Sequence, residues 1–247
     1  MEQKLYLQAA EILKKSDNIL LFTGAGISVE SGIPPFRGPG GLWEAYNPSF
    51  IEIDHFLRYP VQSWAKIREI FYDNWGQAQP NAGHYALAEL QKSGKAPLLV
   101  TQNIDCLHQR AGSTGVTEFH GTLEYLVCMR CKNRLKAVPE FTSQKLPSCP
   151  KCRGLLKPDV VFFGEGIPEK ASDDSFEATE HCQAIIVVGT SGEVQPACLI
   201  PHYAKRRGAK VIEVNLTPST FTDSITDVYL EGKAGEILPE LVHLALQ

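Results

Sequence analysis

The chain has 247 residues, of which 43% are hydrophobic and 21% charged, and its net charge is −4. This balance belongs to a soluble globular protein, long enough to bury a substantial core as one domain or as one domain with an insert. No apolar run reaches about 18 residues, so no membrane span is expected. Seven cysteines without a secretion signal argue for reduced thiols and a cytoplasmic setting. The charge is uneven: residues 128–157 carry eight Lys or Arg and one acid, Glu140, about +7 against about −11 for the rest. A solvated loop explains such a basic knob, although it could also meet an acidic partner.

In chain order, MEQKLYLQAAEILKK has the pattern of an amphipathic helix, not of a signal peptide. NILLFT (18–23) is a short apolar run closed by Gly24. PLLVT (97–101), AIIVV (184–188) and KVIEV (210–214) are others. Runs of this kind suit strands buried on both faces. Between them lie helical patterns at Ala82–Gln91, Ser175–His181, Ala197–Arg207 and Ala234–Ala245. Alternation of strand and helix predicts an α/β protein with a Rossmann-like, doubly wound parallel sheet. Two stretches break the alternation, 33–80 and 121–157. They predict a smaller helical and zinc-binding insert domain of 35–80 and 121–157. The Rossmann-type domain is then 1–34, 81–120 and 158–247.

Cys128, Cys131, Cys149 and Cys152 stand as C-x2-C-x17-C-x2-C, the spacing of a four-thiolate zinc site. Cys106, Cys182 and Cys198 remain, and read as small buried hydrophobes. Ligands of doubly wound sheets sit at the carboxyl ends of the strands. T-G-A-G, T-Q-N-I-D, G-T-S and Val214-Asn215-Leu216 all fall at such ends. Gly24-Ala25-Gly26-Ile27-Ser28 follows a strand and opens a helix, where glycines let the backbone approach a pyrophosphate. A dehydrogenase fingerprint would require a third glycine, and Val29 occupies that place. The pattern therefore points to a dinucleotide without ordinary hydride transfer.

G-A-G-I-S-V-E-S-G-I-P-P-F-R-G, T-Q-N-I-D-C-L-H, F-H-G, the two CxxC pairs, V-F-F-G-E and G-T-S occur in that order. This resembles the sirtuins, NAD-dependent protein lysine deacylases, of bacterial or archaeal type. The resemblance runs from about Ile19 to Leu241. It implies that NAD lies between a Rossmann-type domain and a zinc-holding small domain. Gly24, Ala25, Gly26 and Ile27 would line the pyrophosphate side, and Arg37 would reach the phosphates with its planar fork of donors. Phe36 would shield the reactive ribose carbon from water. Gly189, Thr190, Ser191 and Asn215 would line the adenosine side, with Ala234 near the adenine. Gln102, Asn103, Ile104 and Asp105 would form the nicotinamide pocket, Asn103 and Asp105 holding the carboxamide and a water. Asp105 can equally cap the next helix. His120 would be the general base, since an imidazole titrates near physiological pH. His84 and His108 read as structural.

The activity implied is acyl transfer, most simply deacetylation. The acyl-lysine oxygen attacks the ribose as nicotinamide leaves, a ribose hydroxyl then attacks the imidate carbon, and water completes the release of free lysine and O-acyl-ADP-ribose, so NAD is consumed. One zinc per chain would be structural, because four thiolates leave no open position. Phe162, Phe163, Gly164 and Glu165 on one side, and Gly192, Glu193 and Val194 on the other, would flank an acyl-lysine peptide bound as an added strand, with Val161, Phe36 and Ile104 lining an apolar acyl pocket. Pro35 replaces the usual Asp or Thr. Gly192 replaces the more frequent Leu and would loosen its edge. The Tyr-x-x-Arg of the branch that removes acidic acyl groups aligns with Ala65 to Arg68, so the Tyr is absent and Arg68 could still meet a carboxylate. Desuccinylase, demalonylase and ADP-ribosyltransferase chemistry at the same site are the alternatives. Within 128–157 Phe141 is the one aromatic, which argues against a nucleic-acid partner.

Overall fold

The computed structural model describes residues 2–38 and 40–247. Its strands are β1 (Ile19–Thr23), β2 (Leu98–Thr101), β3 (Val116–Glu118), β4 (Gly121–Cys128), β5 (Arg134–Lys136), β6 (Leu156–Val160), β7 (Ala184–Val188), β8 (Lys210–Asn215) and β9 (Val228–Glu231). The four apolar runs become β1, β2, β7 and β8, the middle of a six-stranded parallel sheet ordered β3-β2-β1-β7-β8-β9. β1 and β7 are buried at every residue. Strand side chains alternate in direction, so each strand feeds two cores. On one face Leu21, Leu99, Ile186 and Ile212 meet helices Glu2–Lys14, Ala82–Lys92 and Ala234–Leu246. On the other, Leu20, Phe22, Val100, Ile185 and Val211 meet helices Glu169–His181 and Leu199–Arg206.

β3 and β9 escaped the sequence reading because they are short and half polar, as edge strands are. Helix Glu169–His181 starts six residues before its apolar pattern does. Its first turns are polar and solvated, with Lys170 paired to Asp174 at 2.7 Å.

A second, antiparallel sheet, β5-β4-β6, carries the cysteine segment. β6 runs to Val160, so the expected boundary at 157/158 cuts through a strand. The segment 35–80 shares one apolar core with this sheet. In that core Phe56 meets Phe162 edge-on at 5.3 Å, and Trp64 Nε1 donates to Leu156 O at 2.8 Å. Residues Arg68–Asn74 form a π-helical turn, a rare form common near functional sites. Ile104 and Leu107 join this core from the end of β2, which places the end of β2 between the two apolar bodies.

Asn81 joins one helix to the glycine loop. Its side-chain oxygen accepts from Gly83 N at 3.0 Å, capping the helix Ala82–Lys92. Its amide nitrogen donates to Ile27 O at 2.7 Å and to Ser31 Oγ at 2.9 Å. Asn81→Ala removes the cap and both tertiary bonds. The expected loss is about 1–2 kcal/mol of unfolding free energy, at or above the usual value of a cap. Urea denaturation checks this, and a loss under about 0.3 kcal/mol would contradict it.

Candidate active site

The sheet reverses its winding between β1 and β7, and the loops that leave these strands touch. Gly26 N donates to Gly189 O at 2.8 Å. A Cβ on Gly26 would sit 2.5 Å from Gly189 Cα, and one on Gly189 would meet Ile27 N at 2.5 Å. Gly189 also has φ +61. The glycines are therefore required by loop-to-loop contact, and the crevice of a doubly wound sheet opens beside them. Asn215, at the end of β8, donates to Thr190 O at 3.0 Å, and Gln102, after β2, donates to Thr190 Oγ1 at 3.1 Å. Three strand ends are thus tied through one threonine. Ser191 is exposed beside it, and Ala234 is buried at the start of the last helix.

A polar cluster lies beneath this crevice. Ser28, fully buried, donates to Asp105 Oδ2 at 2.7 Å. Asn103 donates to Ser28 Oγ at 3.2 Å and to Gly24 O at 3.1 Å. Asp105 Oδ1 accepts from Leu107 N at 2.9 Å, so Asp105 also caps the following turn. Burial raises its pKa, against the opposing pull of the Leu107 and Ser28 bonds. Ile27 and Ile104 are buried.

His120 follows β3 and packs edge-on against Phe119 at 5.5 Å. Its Nδ1 lies 3.2 Å from Gln102 O. A carbonyl can only accept, so Nδ1 carries the proton and Nε2 keeps its lone pair. Burial lowers the imidazole pKa, with the Gln102 carbonyl as a smaller opposing effect. His84 and His108 pack with tilted rings in the core at 4.9 Å, and His108 Nε2 meets Thr23 Oγ1 at 2.9 Å. Burial depresses both, His84 to about 4.

Phe36 is half-buried between Trp43 at 5.3 Å and Trp75 at 5.9 Å, while Arg37 next to it is exposed. Val161 N donates to His120 O at 2.8 Å, which joins the base to the end of β6. Phe163 is 44% exposed, but its main chain is engaged: its N–H donates to Ile51 O, and its carbonyl accepts from Ile53 N. Glu165 turns inward, accepting from Phe162 N at 2.9 Å and pairing with buried Lys157 at 2.9 Å. Gly164 is exposed with φ +91. Val194 is half-buried and its carbonyl accepts from Cys198 N.

Two expectations change. Arg68 is not held toward a carboxylate: Nε donates to Thr142 O at 2.6 Å and Nη2 donates to Gln144 O. The fork ties the π-helical turn to the cysteine segment, and Ala65 faces solvent. Gly192 is not a loosening residue either. It has φ +76, and a Cβ there would stand 2.2 Å from Thr220 Oγ1. The bonds of Ser28 and Glu30 were not foreseen, although both residues lie inside the glycine motif. Glu30 reaches the last helix and accepts from Gly235 N at 2.7 Å.

The four cysteine sulfurs lie within 4.8 Å of one another, Cys128–Cys152 at 3.5 Å and Cys131–Cys149 at 3.7 Å. Thiolates each about 2.3 Å from one zinc in a tetrahedron stand about 3.8 Å apart, so the set fits zinc. Lys132 (φ 58) and Arg153 (φ 59) make the tight turn after each pair. β4 separates this knuckle from His120 by on the order of 20 Å, too far for the metal to touch the chemistry.

A sequence profile of the Sir2 family matches residues 24–196. The NAD-dependent protein deacylase 2 of Pyrobaculum aerophilum is 46% identical over 240 residues, covering 96% of this chain and 94% of that protein. The chain belongs to the Sir2 family. A structure solved for the mechanism and regulation of Sir2 enzymes matches with a TM-score of 0.91 and 45% identity, covering 100% of this chain and 99% of that one. A Sir2 complex with p53 peptide and NAD+ matches at 0.88 and 34% identity, covering 98% of each chain. In this Sir2 protein a zinc held by the two CxxC turns would take four thiolates and have no open position.

Cys149→Ala is expected to lower zinc content and thermal stability together, because metal binding is coupled to the folding of such a loop. Metal analysis of the purified protein and a melting curve test this. A variant without zinc that melts with the wild type would overturn it.

Proposed function

We propose that this Sir2 protein is an NAD-dependent protein-lysine deacylase acting first on acetyl-lysine. The observation that carries the reading is His120: its Nδ1–H is spent on Gln102 O, which leaves Nε2 as a base beside a crevice floored by Asn103, Asp105 and Ser28. NAD, when bound, supplies a ribose as acyl acceptor and a cationic nicotinamide as leaving group. Gly24, Ala25 and Gly26 would lie along its pyrophosphate with Arg37 on the phosphates. Thr190, Ser191, Asn215 and Ala234 would face the adenosine. Asn103 and Asp105 would hold the carboxamide, an acidic floor under a positive ring. Phe36, Ile27 and Ile104 would keep water from the reacting carbon. His120 would take the ribose hydroxyl proton on Nε2. Zinc would sit on Cys128, Cys131, Cys149 and Cys152 and support the fold, a setting that suits the reduced thiols of a cytoplasm.

The acyl-lysine peptide would lie between Val161–Glu165 and Gly192–Val194 as an added strand. Because the main chain of Phe162 and Phe163 is already bonded within the protein, Gly164 and the facing edge would make the pairing. The cleft would divide a larger unit (1–34, 81–120, and the chain after β6) from a smaller one (35–80 and 121 to the end of β6).

His120→Ala is expected to cut deacylation by roughly 10²–10⁴-fold while NAD binding persists. Mass analysis of O-acyl-ADP-ribose reads the loss, and more than a tenth of wild-type turnover would contradict the role. The base works in its neutral form, and burial holds its pKa below the usual imidazole value of about 6.5. The acidic limb of kcat/KM should therefore fall below that pH. A limb at or above it would contradict the buried-base geometry.

Acetyl-lysine should exceed succinyl-lysine in kcat/KM by at least about tenfold, because Arg68 already serves two carbonyls and Ala65 offers no hydroxyl. One peptide carrying either group, assayed at saturating NAD, decides. A preference for succinyl would show that Arg68 leaves those carbonyls when substrate binds.

A further inference from the structure

Glu213 is the anomaly of the large sheet. It lies in β8 between Val187 and Tyr229 in register, and is 1% exposed. The strand around it, Val211, Ile212 and Val214, is apolar and buried. A carboxylate in that place costs free energy unless it is fully bonded. No ion pair reaches it among the described residues. Three hydroxyls do, and all come from one turn: Ser219 Oγ at 2.5 Å on one oxygen, Thr222 Oγ1 at 2.9 Å and Thr226 Oγ1 at 2.8 Å on the other. The turn is closed on itself as well, Ser219 N donating to Thr222 Oγ1 at 2.8 Å and Phe221 N to Ser219 Oγ at 3.1 Å.

The clamped turn presents two residues to the cleft loop. Phe221 is fully buried, its ring 5.5 Å from His202. Thr220 points outward, its N–H donating to Ser191 O and its hydroxyl to Gly192 O, each at 3.1 Å. A Cβ on Gly192 would meet Thr220 Oγ1 at 2.2 Å and Phe221 Cε2 at 2.8 Å. The turn and the Ser191–Gly192 stretch are in contact with no room for a side chain between them. Thr190 precedes that stretch on the nucleotide side, and Glu193 and Val194 continue it on the peptide side.

We propose that Glu213 is a positioning residue for the peptide edge: its buried carboxylate clamps the Ser219–Thr226 turn, and Thr220 on that turn fixes Ser191–Gly192 and so the Gly192–Val194 edge. This rests on the reading of that edge as one flank of the peptide cleft. A loosened edge still admits the peptide but holds it less well, so the effect falls on peptide KM and leaves kcat.

The test uses the zinc-loaded full chain and three variants: E213Q, which takes away one acceptor oxygen and the charge; T220V, an exposed change that removes only the hydroxyl bond to Gly192; and V194D, which alters the edge itself. Peptide KM, NAD KM and kcat are measured on an acetylated peptide. E213Q and T220V should each raise peptide KM at least fivefold with kcat within twofold. The double variant should raise it by less than the product of the two, since both break one chain of contacts. If V194D raises peptide KM while T220V leaves it within twofold, the edge reading stands and the role of Glu213 falls. If V194D leaves peptide KM unchanged, the edge reading itself falls, and this inference with it. Should E213Q fail to fold, T220V alone decides.

Discussion

The contact between the loops after β1 and β7 is the constraint on which the site depends. Gly26 and Gly189 approach so closely that neither tolerates a Cβ, and one hydrogen bond, Gly26 N to Gly189 O, fixes their spacing. Because these strands flank the point where the sheet reverses direction, their contact sets the floor of the crevice. The other site elements are hung from it: Asn215 and Gln102 meet on Thr190, the residue after Gly189, and Asn103 donates to Gly24 O on the opposite loop. Movement of either loop would be felt at four strand ends.

His120 belongs to the same frame. Gln102 donates through its side chain to Thr190 and accepts through its carbonyl from His120. One residue therefore links the tautomer of His120 to the loop after β7. Val161 adds a second tie by donating to His120 O, so His120 is held between the large sheet and the end of β6. Both ties use main-chain atoms of Gln102 and Val161, so a change of side chain at either residue would leave them in place. Geometry of this kind sets the orientation of the imidazole before any ligand arrives.

The motifs were legible because their chemistry demands particular residue types at short range. Four cysteines at fixed spacing, a glycine pair after an apolar strand, and F-H-G each state a local requirement that survives without the fold. The long-range partners were not legible. Arg68 looked free because nothing near it in sequence competes for its guanidinium, yet the carbonyls of Thr142 and Gln144 lie more than 70 residues on. Gly192 looked like a loss of packing, and only the arrival of Thr220 and Phe221 from another element makes it a necessity. β3 and β9 were missed for a related reason: an edge strand borrows its stability from its neighbour and needs little apolar signal of its own.

Buried ionisable groups mark the walls of the cleft, and each is satisfied in a different way. Asp105 takes one hydroxyl and one backbone N–H, and burial still pushes its pKa up. Lys157, in β6 just before the turn that exposes Phe163, is pulled down by burial and held by Glu165, two carbonyls and the face of Phe162 at 4.2 Å. Glu213 takes three hydroxyls. Apolar side chains of similar size could fill these positions in a sheet that needed only stability, since buried charges rarely stabilise more than well-packed hydrophobes do. What a charge adds is direction. It holds a loop in one place because any other arrangement leaves a bare charge in a dry interior. A crevice closed by loops, with no rigid strand on its open side, needs that kind of hold at each place where a loop must meet a ligand.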